Sequence, residues 1–173
     1  MLLRELSLAS LDELSADALA VFIDERQRPL QGLAGLCDWR LCGQLSRVLA
    51  TGFFRGEGGE TLLMPTGSRL PVGRLLAFGL GQGEAAREVV LQRAFEAAAR
   101  AGAKSLALSI DWLGETPELA AQAWAPLAQR ARFERQILIG DPRSLGKAVR
   151  AAIGEGTGLQ LDGEAMENQK KRA

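Results

Sequence analysis

The sequence predicts an α/β fold built on a mixed, mostly parallel sheet. Continuous apolar runs at 18–23 and 75–80 fit strands buried on both faces. From residue 84 onward, helical stretches alternate with short apolar runs. The connections between them are of ordinary length, as layered β-α-β structure requires.

The elements follow in order. Residues 2–8, LLRELSL, make a first candidate strand with Leu2, Arg4, Leu6 and Leu8 on one face, and 10–17 reads as a polar turn. The run ALAVFI at 18–23 closes on Asp24-Glu25-Arg26. Residues 28–35 read as a loop broken by Pro29, Gly32 and Gly35. Residues 38–50 have helical spacing: Leu41, Leu45, Val48 and Leu49 share a face, and Asp38 stands as cap. Gly43 weakens that helix by up to ~1 kcal/mol relative to Ala. Gly56, Gly58 and Gly59 turn the chain into a strand at 61–64, and 65–73 turns it again into the strongest strand, 75–80. The clearest helix is expected over 84–101, with Val90, Leu91, Ala94, Phe95 and Ala98 along one side. KSLALSI at 104–110 is a strand. Thr116 and Pro117 form a cap and first-turn pair for a helix to about 131, which Pro126 should kink or split. A strand at 133–139 follows, and Asp141-Pro142 opens a last helix to 153. After Gly154 the apolar residues are too few to offset the entropy of ordering. The expected organisation is one domain, 1–153, and a polar, disordered tail, 154–173.

Composition excludes several chemistries. The chain has no histidine, which removes Ser-His and Cys-His catalysis and every histidine metal site. Lys plus Arg equals Asp plus Glu, 21 of each, so no global field draws it to nucleic acid or anionic lipid. Cys37 and Cys42 form neither a CxxC nor two pairs, and read as reduced core or helix-face residues. No signal peptide is visible, and no apolar run approaches the ~20 residues that cross a bilayer. The expected compartment is the cytoplasm.

One loop invites a ligand. Gly79, Gly81 and Gly83 lie between the strongest strand and the clearest helix, where free backbone N–H groups would meet an anion or nucleotide. The spacing is G-x-G-x-G with no Walker lysine, and a tight strand-to-helix turn that needs positive φ is the favoured reading of it. Asp12/Glu13, Asp24/Glu25 and Asp111/Glu115 read as solvated loop ends rather than catalytic pairs. Arg130, Arg132, Arg135, Arg143, Lys147 and Arg150 could form a basic patch, but Glu134 and Asp141 interrupt it and aromatics are few.

A family emerges from the succession of segments. ALAVFIDE, LAGLCDWRLCGQLSRVLATGFF, GEGGETLLMP, GRLLAFGLGQG and the alanine-rich helix leading to KSLALSI follow one another between residues 18 and 110. In order and spacing they resemble the N-terminal domain of leucyl (cytosol) aminopeptidases. The resemblance implies a macro-domain-like three-layer fold with helices on both faces of the sheet. It also implies that this domain sits beside a separate catalytic domain within a larger oligomer. That catalytic domain carries the metal ions and a signature like NTDAEGRL, and nothing similar occurs here. No catalytic or metal-binding residue therefore carries over, no cofactor is expected, and the chain is expected not to be an enzyme. The likeness weakens after Trp112. Macro-like folds also raise ADP-ribose or nucleotide binding, although Asp24 and Glu25 at the strand end would repel a diphosphate unless they met the ribose.

The expected function is thus non-catalytic, structural or regulatory, through self-association or a partner protein. Trp112 and Trp124, where the likeness fades, are the candidate interface residues, since tryptophan anchors interfaces when exposed. The alternative is an ADP-ribose or nucleotide-binding module using Gly79, Gly81 and Gly83. Nucleic acid is a weaker third reading.

Overall fold

Alternation along one strand organises the molecule. In the computed structural model, which describes residues 1–81, 87–154 and the backbone of 160–161, β2 (Ala16–Ile23) sends Ala18, Ala20 and Phe22 to one face of the sheet. Leu19, Val21 and Ile23 go to the other. Both sets are buried, as the unbroken apolar run requires.

Among the described residues, seven strands form a single sheet in the order β3-β4-β2-β5-β6-β1-β7. β1 is Leu2–Glu5, β3 Thr61–Met64, β4 Val72–Gly79, β5 Ser105–Leu108, β6 Arg135–Gly140 and β7 Gln160–Leu161. β3 pairs antiparallel with β4, Leu63 opposite Leu76; every other pairing is parallel. The mixed, mostly parallel sheet read from the sequence is the one observed. Among the described residues, three helices cover the first face: α4 (Arg87–Arg100), α5 (Pro117–Arg130) and α6 (Pro142–Ile153). Three shorter ones cover the second: α1 (Leu8–Asp12), α2 (Gly32–Arg40) and α3 (Gln44–Ala50).

Four local expectations differ from the structure. The first strand stops at Glu5 because Ser7 takes over as a helix cap, its hydroxyl accepting the Ser10 N–H at 3.1 Å. The single helix expected over 38–50 is two helices, and the first begins inside the expected loop, at Gly32. Leu33, Ala34 and Cys37 make its buried stripe. Gly35 is needed there for closeness rather than as a breaker, since a Cβ on it would lie 2.6 Å from the Leu30 carbonyl oxygen. The chain then reverses through left-handed Cys42 (φ +54°) and Gly43 (φ +76°). The carboxylate of Asp38 caps the second helix, not its own, by accepting the Ser46 N–H at 3.1 Å. Thirdly, Pro126 does not split α5. It sits on the exposed side while Ala120, Ala121, Trp124, Ala125 and Ala128 hold the opposite side in the core. Fourthly, Gln160 and Leu161, within the stretch expected as a tail, pair in parallel with Leu2 and Leu3. The rest of 155–173, and residues 82–86 with Gly83, lie outside the described residues.

Trp124 is fully buried in the first-face core and so is unavailable as a surface anchor. The expectation that it lines an interface is corrected accordingly: the stripe that makes α5 helical also turns this indole inward. Cys37 is buried, and burial first, then the neighbouring Asp38 charge, pushes its thiol up to about 12. Cys42 is exposed in the turn between α2 and α3.

Candidate functional site

Parallel strands leave their carboxyl ends side by side, and the chain leaves each end by a loop, so a crevice forms there. A cavity of about 500 Å³ occupies that position above β2, β4 and β5. β2 and the loop after it supply Phe22, Asp24, Gln27 and Gln31. The first turn of α2 supplies Gly32, Leu33 and Ala34, Leu80 follows β4, and Arg87 opens α4 as described. The β5–α5 loop supplies Ser109, Asp111, Trp112, Gly114 and Glu115. A second cavity of about 230 Å³ shares Asp111, Gly114 and Glu115 and continues toward Gly140 and Ser144.

Two features give the crevice character. Trp112 stacks on Phe22, ring centroids 4.0 Å apart, and its indole N–H donates to the Ser109 carbonyl at 2.9 Å. Phe22 in turn stacks on Phe78 at 5.7 Å. Beside this aromatic wall, Gln31, the residue before α2, makes no side-chain capping bond. The opening N–H groups of that helix have no partner within it and carry the positive end of its dipole. Asp111 already lies close: a Cβ on Gly32 would sit 3.7 Å from Asp111 Oδ2. Charged groups on the wall are Asp24, Asp111 and Glu115 against Arg87. Asp24 is itself paired with Arg26 at 3.6 Å.

The glycine loop read from the sequence sits behind this wall. A Cβ on Gly79 would lie 2.0 Å from the Glu57 carbonyl oxygen, and one on Gly81 (φ +64°) 2.8 Å from Gly58 Cα. The loop after β4 therefore packs backbone-to-backbone on the turn 56–59, and it is Leu80 between these glycines that lines the cavity. Trp112 belongs to the crevice and is half-buried. The basic residues Arg130, Arg132, Arg135, Arg143, Lys147 and Arg150 are exposed. Arg135 donates to the Ser15 carbonyl, so this member of the patch is spent on structure.

Two carboxylates that matter locally were not singled out in the sequence. Glu60 Oε2 accepts three consecutive N–H groups, from Arg55, Gly56 and Glu57, at 2.8, 2.9 and 3.0 Å. Burial pushes this carboxyl up, and the three N–H bonds, Arg55 first, outweigh it, leaving it below the usual range. Asp17 Oδ2 accepts the Lys104 and Ser105 N–H groups at 2.8 and 2.9 Å, tying β2 to β5. Those bonds, the Lys104 one foremost, hold its carboxyl low. An acid closing a Gly-rich turn and an acid opening an apolar strand were the available signals. Among the described residues, no group of three or more His, Cys, Asp or Glu is placed to hold a metal ion, and no helix is long and apolar enough to cross a membrane.

A doubly covered, mostly parallel sheet with a crevice at its carboxyl edge is the macro-domain architecture, and solved structures agree. A Trypanosoma brucei macrodomain in complex with ADP-ribose superposes with a TM-score of 0.70 at 17% identity, covering 88% of this chain and 68% of that one. A tomato leucine aminopeptidase mutant superposes with a TM-score of 0.62 at 19% identity, covering 87% of this chain and 34% of that one. Sequence decides between these two likenesses. The profile of the cytosol aminopeptidase family, N-terminal domain, matches residues 18–136, and the chain belongs to that family. A protein named probable cytosol aminopeptidase from Trichormus variabilis is 28% identical over 149 residues, 84% of this chain. The chain spans only 30% of that relative's length.

Proposed function

We propose that this chain is a non-catalytic member of the family whose role is structural or regulatory, exercised through self-association or a partner protein. The carrying observation is a pair of large side chains left in solvent: Trp39 is 65% exposed and Phe53 77%. Trp39 lies in α2, on the second face of the sheet, and Phe53 in the turn just after α3; exposed aromatics of this size are typical anchors of interfaces. The matched profile is that of the family's N-terminal domain, over residues 18–136, and this supports the non-catalytic reading. The cytoplasm is the proposed compartment, in keeping with the name of the cytosolic relatives. Size exclusion with light scattering should give a dimer or larger, or a pull-down a stoichiometric partner. Trp39→Ala with Phe53→Ala should abolish it. A monomer without a partner overturns the reading.

A second reading, nucleotide or ADP-ribose binding, is favoured by the crevice, where uncapped α2 N–H groups face a cavity of about 500 Å³. Calorimetry with ADP-ribose and ATP tests it; micromolar heats support it and their absence at millimolar ligand rejects it.

A further inference from the structure

The polar lining of the crevice does not suit every part of a nucleotide equally. Its aromatic wall, Trp112 over Phe22, suits a flat heterocycle. Its acids, Asp111 and Glu115 with Asp24 behind them, are acceptors only, and suit the hydroxyl and amino donors of a ribose and base. A diphosphate offers no donor and brings more negative charge to a wall with three carboxylates and one guanidinium, Arg87, among the described residues. Among the described residues, the part of the crevice suited to an anion is the start of α2, and Asp111 lies beside it.

Resting on the second reading above, we propose that the crevice takes a nucleoside, a base with its ribose, and discriminates against the same nucleoside carrying a diphosphate. In this arrangement the base stacks on the exposed part of Trp112. The carboxylates of Asp111 and Glu115 accept hydrogen bonds from the sugar hydroxyls, and the Gln27 and Gln31 amides complete the polar rim. Asp111 then has two roles. It shields the α2 dipole and it repels phosphate.

Calorimetry with adenosine, ADP and ADP-ribose, each titrated into wild-type protein at low salt, provides the test. Adenosine should bind, and both diphosphates should bind at least about tenfold more weakly, the scale of charge repulsion near a protein surface. Asp111→Asn with Glu115→Gln should shrink that gap to under about threefold by removing the repelling charges. Both residues are exposed, and circular dichroism checks that the variant is folded. Should it not fold, raising the salt to about 0.5 M must narrow the gap for the wild type instead, because screening weakens the same repulsion. ADP-ribose binding as tightly as adenosine, or a gap that neither the charge-neutral pair nor salt narrows, overturns the proposal while leaving the crevice a nucleotide site. Folded protein that binds none of the three rejects the nucleotide reading itself, and this proposal with it.

Discussion

At Gly79 a methyl group has no room. The atoms it would meet, Glu57 O at 2.0 Å and Gly56 C at 2.6 Å, are backbone and cannot swing aside. Gly79→Ala should therefore cost roughly 2–3 kcal/mol, the upper range for overpacking. Gly81→Ala combines a positive φ with a contact at 2.8 Å and should cost about as much. Gly102→Ala has the positive φ, +76°, but open space around it, and should cost only about 1 kcal/mol. Urea denaturation ranks the three, and a Gly79 variant as mild as the Gly102 variant contradicts the packing argument. Asp17 gives a pH signature. Its folded carboxyl sits below its unfolded value of about 4, so its contribution is fully present above that value and lost as pH falls through the folded pKa. Between pH 5 and about 2, wild type should lose more stability than Asp17→Asn, measured by denaturation at each pH. Parallel curves would show that the β2–β5 tie carries no such linkage. The Asp17 carboxylate is exposed, so the argument does not rely on a buried ion pair.

Elements show where local sequence rules compete with packing. The strand at 61–64 and the helices starting at Pro117 and Pro142 were legible because cap, proline and apolar period agree, and β4 was legible from Leu75, although it starts at Val72, inside the expected turn. Thr116 and Asp141 cap as expected, accepting the Leu119 and Ser144 N–H groups at 3.3 and 2.9 Å. The α2–α3 pair was not legible. Two glycines in α2 imitate a loop, and Asp38 imitates a cap for the helix it ends. Asp38 in fact bonds eight residues ahead, across the turn at Cys42 and Gly43. Asp38→Ala should destabilise the protein by about 1 kcal/mol, as loss of a helix cap does. Asp38→Asn should recover most of it in thermal melts. Equal melting of both variants and wild type would mean the cap is idle.

For the molecule as a whole, the expected outcome with zinc or manganese and a leucyl-anilide substrate is no turnover. The expectation follows from the non-catalytic proposal, in which the matched profile is that of the family's N-terminal domain. Turnover that survives repurification and vanishes with a chelator would contradict the non-catalytic proposal. The crevice is likewise a property of the whole. Asp24, Leu80 and Asp111 are far apart in sequence, and the order β4-β2-β5 sets their loops side by side.

The sequence by itself determined the α/β class, most strands and helices, and the family, because apolar period, caps and proline act over a few residues and are written locally. It also determined which chemistries lack their residues. Tertiary structure alone decided which indole faces solvent and which acid faces a cavity. Trp124 is interior, Trp39 is exterior and Trp112 lies against Phe22, although all three are the same residue type in chain segments of similar polarity. Gly79, which ends β4, and Gly81 after it are shaped by Gly56, Glu57 and Gly58, a partner some twenty residues away that only strand pairing brings near. Burial and proximity depend on sheet order, and sheet order is fixed by long-range pairing that no short stretch of sequence records.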